Sequence, residues 1–320
     1  MFKKIMCMAM ICVFITATLA GCKKDNNNIV ITSENEDAKD AAAVEEKELS
    51  ADSVVVAVGE QTATYAEYLV YMYILKTKYQ NSIGGDIWNY TLSENRSFKD
   101  VAKEQAISLI SELKIISCKA ENYGISLGTD EKEDIRKYVE TIYQSASEED
   151  KQEYKLTIDS LANVYMENEI AERVYNACIG AVDTNISDED VRQTSIQYLY
   201  IASGDIDKAE KLRQKAVKSG DFLSVARANT DAESCEMIIG RDYENVAFAE
   251  TALSLHTGEM SGVLTTGTGC YVIYCVNENE ESLTAQKKEE IISQSQRTVF
   301  ETQYKLWAEE FNIQISPLIL

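Results

Sequence analysis

A single histidine, His256, serves a chain of 320 residues, which leaves almost no room for imidazole chemistry. It stands two residues before Gly258, where a solvated turn side chain is the expected role. Of the eight cysteines, Cys118, Cys178, Cys235, Cys270 and Cys275 follow residue 22 at wide spacings and in odd number. That pattern reads neither as a disulfide framework nor as a zinc site, and it casts them as small buried hydrophobes. The acidic runs Glu148-Glu149-Asp150 and Glu278 to Glu281 lack the alternating Asp/Asn and the glycine of a calcium loop, so they read as a solvated helix start and a solvated loop. There is no Gly-x-Ser-x-Gly, no Walker pattern and no His-Glu-x-x-His, so no metal and no cofactor is expected. What remains is contact chemistry. Eighteen tyrosines offer large rings and hydroxyls that both donate and accept.

The N-terminal residues bear on location. Lys3 and Lys4 precede an apolar run, Ile5 to Thr18, that is short for a membrane span and reads as the core of a secretion signal over 1–21. Its ending, Leu19-Ala20-Gly21-Cys22, resembles the lipobox of bacterial lipoproteins. The resemblance implies lipid attachment at Cys22 and an extracytoplasmic, membrane-anchored protein. Loss of Lys3 and Lys4 with that segment leaves 29 basic against 53 acidic residues and deepens the formal charge from −22 to −24. Such acidity disfavours nucleic acid and anionic membrane surfaces as partners and leaves neutral or basic polypeptides. Residues 22–50 are polar and poor in large apolar side chains, which predicts a disordered tether with an r.m.s. reach of about 30 Å.

Behind these residues stand the elements that must position them. Val54 to Val58 is β-branched and ends at Gly59, a strand; Thr64 and Glu67 then form the capping box of a helix towards Gln80. Tyr65, Tyr68, Leu69, Met72, Tyr73 and Leu75 recur at helical spacing and predict core packing. Helices are predicted over Phe98 to Tyr123, Asp130 to Gln144 and Glu148 to about Cys178. After a helix start at Ser187 come a strand over Ile196 to Ile201, helices over Asp205 to Ser219 and Phe222 to Ala228, a helix near Phe248 to Leu255, a short strand around Val263 and a strand over Cys270 to Val276. This gives the order β-α-α-α-β-β. A long amphipathic helix from Leu283 to about Phe311 turns Ile291, Ile292, Val299, Tyr304, Leu306 and Trp307 inward, and Ile313 to Ile315 is predicted to pair with Val54 to Val58.

Within that order, Ile196 to Ile201, Ala209 to Lys218, Phe222 to Ala226, Phe248 to Leu255, Gly258-Glu259-Met260-Ser261 and Gly269 to Ile273 resemble a parvulin-type peptidyl-prolyl isomerase domain. Val54 to Tyr73 looks like the opening of the chaperone domain in PrsA-like and SurA-like foldases. The resemblance implies an α+β fold: a mainly helical SurA-like chaperone domain over 51–186, closed by 280–320 so that both chain ends build it, with a parvulin-like α/β domain inserted at 187–279. Active parvulins carry a histidine on the first strand and another on the last; the matching positions here are Tyr198 and Tyr271. The Cys/Asp position falls on Asp231 or Ala232, and Phe248, Leu253 and Met260 are implied as peptide-binding residues. The loop from Asp231 to Phe248 is shorter than the family's glycine-rich segment and keeps only Gly240.

Prolyl isomerisation requires a barrier of about 18–20 kcal/mol to be lowered by a dry proline pocket and a polar network, without covalent chemistry. Two tyrosine hydroxyls can replace imidazole hydrogen bonds, but hydroxyls do not rebuild a lost pocket wall. The expected function is therefore a membrane-anchored chaperone that binds unfolded, newly secreted polypeptides, with weak or no isomerase activity. An active isomerase using Tyr198, Asp231 and Tyr271 is the alternative. A lipid-anchored structural or solute-binding protein on the same scaffold is a third reading. The oligomeric state stays open at this level, a dimer included.

Overall fold

The computed structural model describes residues 29–31, 49–84, 87–93 and 96–320. The signal segment 1–21, Cys22 and most of the tether lie outside the described residues. Two compact units emerge: one runs to Ala181 and takes in Val299–Leu320, and the other is Val182–Thr298.

In the first unit, β2 (Val54–Val58) turns at Gly59 into β3 (Gln61–Thr64), a strand absent from the sequence reading, which passes from Gly59 straight to the Thr64 cap. Thr64 caps α1 (Tyr65–Ile83) as expected: its hydroxyl accepts from Glu67 N at 3.2 Å and the Glu67 carboxylate accepts from Thr64 N at 2.7 Å. A short hairpin, β4 (Thr91–Ser93) and β5 (Arg96–Ser97), leads into α2 (Phe98–Ser117), capped in the same way by Ser97 and Asp100. Next come α3 (Thr129–Ser145), α4 (Glu148–Glu153) and α5 (Ile158–Ile179). The single helix predicted from Glu148 to Cys178 is two, because Lys155 adopts a left-handed φ of 46° and Thr157 caps a new start.

The core of this unit is made by Val70, Ile110, Leu113, Leu161 and Val164, all fully buried. Each such side chain contributes about 1.5–3 kcal/mol of apolar burial. Tyr68, Leu69, Met72, Tyr73 and Leu75 are buried as the helical spacing predicts, while Tyr65 is only half-buried. The sheet has the order β1 (Ile29–Ile31), β10 (Ile313–Ile315), β2, β3. In it β10 (Ile313–Ile315) pairs antiparallel with β2, Ile313 opposite Val58 and Ile315 opposite Val56, as anticipated from sequence. One correction falls on the tether: β1 (Ile29–Ile31) lies inside 22–50 and pairs in parallel with β10. A run of three β-branched residues meets an open strand edge there, which polar composition alone hides.

The second unit opens with α6 (Asp188–Val191), then β6 (Thr194–Ile201), α7 (Ile206–Ser219), α8 (Phe222–Asn229), β7 (Glu236–Ile239), α9 (Val246–Leu253), β8 (Leu264–Thr266) and β9 (Gly269–Asn277). The sheet order is β7-β6-β9-β8, all neighbours antiparallel. Strand β7 corrects the expected β-α-α-α-β-β order; four residues without a hairpin signal are too short for period-2 patterning to reveal.

The boundary between the units falls inside α10 (Glu281–Ala308). The stretch 280–298, assigned from sequence to the helical domain, groups instead with the second unit. Gln193 N donates to Thr284 Oγ1 at 3.0 Å, and Lys287 and Lys288 pair with Asp242 and Asp188 at 3.0 and 2.8 Å. In the part of α10 that belongs to the first unit, Phe300 and Trp307 are buried while Val299 and Leu306 are 42% and 54% exposed. Trp307 is inward as predicted; Val299 and Leu306 are not, and Phe300, one position after Val299 and so about 100° around the helix, takes the buried place. Among the described residues no helix is long and apolar enough to cross a membrane.

Candidate polypeptide-binding face

Alternation along the two central strands of the second unit decides what each face of its sheet carries. Tyr198 pairs with Ile273 and Tyr200 with Tyr271 on one face; Leu199 pairs with Val272 and Ile201 with Cys270 on the other. The second face is closed by α7 and α8 through Ala209, Ala216, Phe222 and Val225. The first is only partly roofed, by Phe248, Ala249 and Ala252 of α9.

Phe248 is the hub of this face. It is 2% exposed, and its ring meets Tyr198 edge-on at 5.8 Å, Tyr271 edge-on at 5.1 Å and Tyr243 tilted at 5.6 Å. Tyr200 stacks on Tyr271 at 4.7 Å. Each such pair contributes about 0.5–1.5 kcal/mol beyond its burial, so the rings form a preorganised shelf. Tyr198, Tyr200 and Tyr271 are half-buried, and Tyr243 is 37% exposed at the open side.

Hydroxyls tie down one end of the shelf and leave the other open. Tyr200 donates to the Thr268 carbonyl at 2.6 Å, and Tyr271 shares a 3.2 Å hydrogen bond with the Thr268 hydroxyl. The turn bearing Thr268 lies close to β6 because Gly269 has φ of 148°, and a Cβ there would stand 2.4 Å from the Ile201 carbonyl. No hydrogen bond to a described residue engages the hydroxyls of Tyr198 and Tyr243. Burial, followed by its neighbours Tyr243, Cys235 and Tyr271, holds the Tyr198 phenol above its ordinary pKa, so it remains a protonated donor at neutral pH.

Three of the six residues implied at the cleft come together: Tyr198, Phe248 and Tyr271. Asp231 stands at the end of β6, its carboxylate accepting from Ala202 N at 2.9 Å while its own N–H donates to the Tyr200 carbonyl at 2.9 Å. The carboxylate thus serves the loop 230–235, which runs alongside β6 through Tyr198 N to Cys235 O at 2.8 Å. Met260 packs with Phe222 and Cys270 on the opposite face and bridges to Tyr274, so it is placed away from the shelf. Leu253 lines a hollow of about 320 Å³ with Arg192, Arg241, Val246 and Glu250, and its carbonyl accepts from the Arg192 guanidinium. His256 is exposed in the turn; its ring bonds Glu278 at 2.6 Å, which raises the imidazole pKa.

Sequence reasoning missed Tyr200, Tyr243 and Thr268. Tyr198-x-Tyr200 at strand spacing was a readable sign that both rings share one face. Tyr243 and Thr268 lie in loops, and only the packing of α9 and the turn before β9 brings them in.

No protein-family profile and no curated protein matches the chain. Among solved structures it is similar to peptidylprolyl isomerase PrsA from Bacillus cereus, at 16% identity and TM-score 0.31, over 69% of this chain and 90% of that one. It is also similar to PrsA from Bacillus subtilis, at 15% identity and TM-score 0.27, over 81% and 93%. A structure from a study of two SurA-like chaperones of Campylobacter jejuni, PEB4 and Cj1289, aligns at 11% identity and TM-score 0.33, over 82% of this chain and 99% of that one.

Proposed function

We propose that the protein is an extracytoplasmic chaperone of the foldase kind that holds unfolded polypeptides, with the aromatic shelf of its second unit as a principal contact. The observation that carries this reading is the set of rings Tyr198, Tyr243, Phe248 and Tyr271 on one sheet face, beside two phenol hydroxyls with no protein partner among the described residues. Rings seat an apolar or prolyl side chain at low entropic cost, because they are already fixed against Phe248. The free hydroxyls can donate to a carbonyl or accept from an amide of an extended chain. Exposed apolar residues of the first unit, Ile83, Tyr90 and Leu92 at 59%, 59% and 48%, supply further contact of the same kind. Attachment to the membrane through Cys22 is supported by the Leu19-Ala20-Gly21-Cys22 ending alone.

As an isomerase the domain is weak on this reading. Both imidazole positions hold tyrosine, and Asp231 is engaged with a backbone amide instead of pointing its carboxylate into a polar network. The test is suppression of aggregation of a reduced, unfolded secretory protein by the chain lacking 1–21. Wild type should suppress it near stoichiometric amounts, and the Tyr198→Ala/Tyr271→Ala pair should require several-fold more. No suppression by wild type ends the reading. Refolding of a proline-limited substrate in the same samples checks the second reading; a rate increase that the same substitutions abolish would make the cleft an isomerase site.

A further inference from the structure

The two faces of the second unit's sheet differ in charge as well as in cover. Helix α7, over the closed face, carries Lys208, Lys211, Arg213, Lys215 and Lys218 against Asp207 and Glu210. The segment 229–255, which borders and roofs the shelf, carries Asp231, Glu233, Glu236, Asp242, Glu244 and Glu250 against one base, Arg241. That arginine is spent, its guanidinium bonding Glu189 at 3.0 Å. Glu236 is paired to Arg227 and Asp242 to Lys287. Asp231, Glu233, Glu244 and Glu250 have no cationic partner within ion-pair distance among the described residues. They stand where they matter: Asp231 and Glu233 on the loop that pairs with Tyr198 and Tyr200, and Glu244 next to Tyr243.

The rings themselves point the same way. Lysine ammoniums lie over aromatic rings at Tyr154, Phe311, Tyr143 and Tyr65, all in the first unit. Among the described residues no lysine or arginine covers a shelf ring. The negative ring faces and the unpaired carboxylates on the adjoining loop segments therefore offer a cation two kinds of attraction that the protein's own side chains leave unused.

We infer that the shelf selects polypeptide segments in which Lys or Arg flanks the apolar or prolyl residue that seats on the rings. This rests on the binding role proposed above. The carboxylates are exposed, so the preference is modest, of order threefold per favourable charge, and is screened by salt. Acidic segments are repelled by the same rim, which makes the preference a discrimination as well as an attraction.

The experiment uses the chain lacking 1–21 and three fluorescein-labelled decapeptides with a common Phe-Pro centre, flanked on both sides by Ser, by Lys or by Glu, read by anisotropy. At low ionic strength the expected order is Lys over Ser over Glu, with roughly tenfold between Lys and Ser and again between Ser and Glu for one charge on each side, shrinking above 0.3 M salt. The Glu233→Gln/Glu244→Gln variant should bring the three peptides together, and Tyr198→Ala should weaken all three. Equal binding of the Lys and Glu peptides by wild type overturns the inference, as does a Lys preference that survives both glutamines. If ring substitution still weakens binding in those cases, the shelf stands without charge selection. If no peptide binds, or ring loss changes nothing, the binding role fails with it.

Discussion

Tyrosine does opposite work in the two units. In the helical unit Tyr71 is 1% exposed and its hydroxyl accepts from the Asn168 amide at 3.1 Å, while Tyr154 is 2% exposed and carries Lys76 over its ring. In the second unit Tyr198, Tyr200, Tyr243 and Tyr271 lie at the surface of a sheet, and two of their hydroxyls are uncommitted. One set is consumed by the fold; the other keeps ring surface and hydroxyls that the fold does not use. Charge divides in a similar way. The helical unit buries cations against carboxylates, whereas the shelf keeps carboxylates exposed and unpaired.

The largest test of that contrast is Lys114, whose ammonium meets the Glu167 carboxylate at 2.8 Å with side chains 6% and 11% exposed. Lys114→Ala leaves a buried carboxylate alone and should cost about 3–5 kcal/mol in urea unfolding. Lys114→Met with Glu167→Leu should recover most of it. If the single substitution costs under 1 kcal/mol, burial of this pair is not an energetic feature of the helical unit.

Next is Glu112 on α2, whose carboxyl is pushed up to about 7 by burial. Because the folded value lies above the ordinary 4.5, the proton is held in the native state after the unfolded chain has released it. Stability is thus complete below about pH 4.5 and falls as pH rises to about 7, by on the order of 3 kcal/mol. Glu112→Gln should flatten the stability profile across that window and stabilise the protein at pH 8. An unchanged slope would place the titration elsewhere.

A paired hydroxyl deletion sharpens the comparison directly. Tyr71→Phe strips a buried partner from Asn168 and should cost about 1–2 kcal/mol, with peptide binding intact. Tyr198→Phe should cost under about 0.5 kcal/mol in stability and show its effect in peptide affinity instead. Equal stability losses would mean that the Tyr198 hydroxyl belongs to the fold. The smallest effect is expected at His256: His256→Gln removes an exposed bond to Glu278 and should leave peptide binding and any isomerase rate unaltered.

Local signals in the chain were enough to read the elements that carry strong chemistry of their own. The Thr64/Glu67 box, the β-branched run of β2, the αL stop at Gly220 and the pairing of Ile313–Ile315 with β2 all follow from short-range rules or from the economy of closing a sheet. The break at Lys155 was illegible because a left-handed lysine has no residue signature. Strand β7 was missed because it is short, and on α10 Trp307 was legible while Val299 and Leu306 were misplaced, because apolar character at neighbouring positions does not say which of two adjacent residues faces the core. At the site, the parvulin resemblance implied Tyr198 and Tyr271, yet nothing local said that Met260 would pack on the far face.

Amino-acid types and their spacing by themselves determined that this chain has almost no histidine chemistry, no metal-ligand pattern, a strong negative charge, a tyrosine-rich apolar complement and a helical region followed by a small α/β region. Tertiary structure alone decided which tyrosines are spent and which are free. That depends on strand register and on where α9 lands. A shift of one residue between β6 and β9 would move Tyr271 to the closed face and erase the shelf without changing a single side chain.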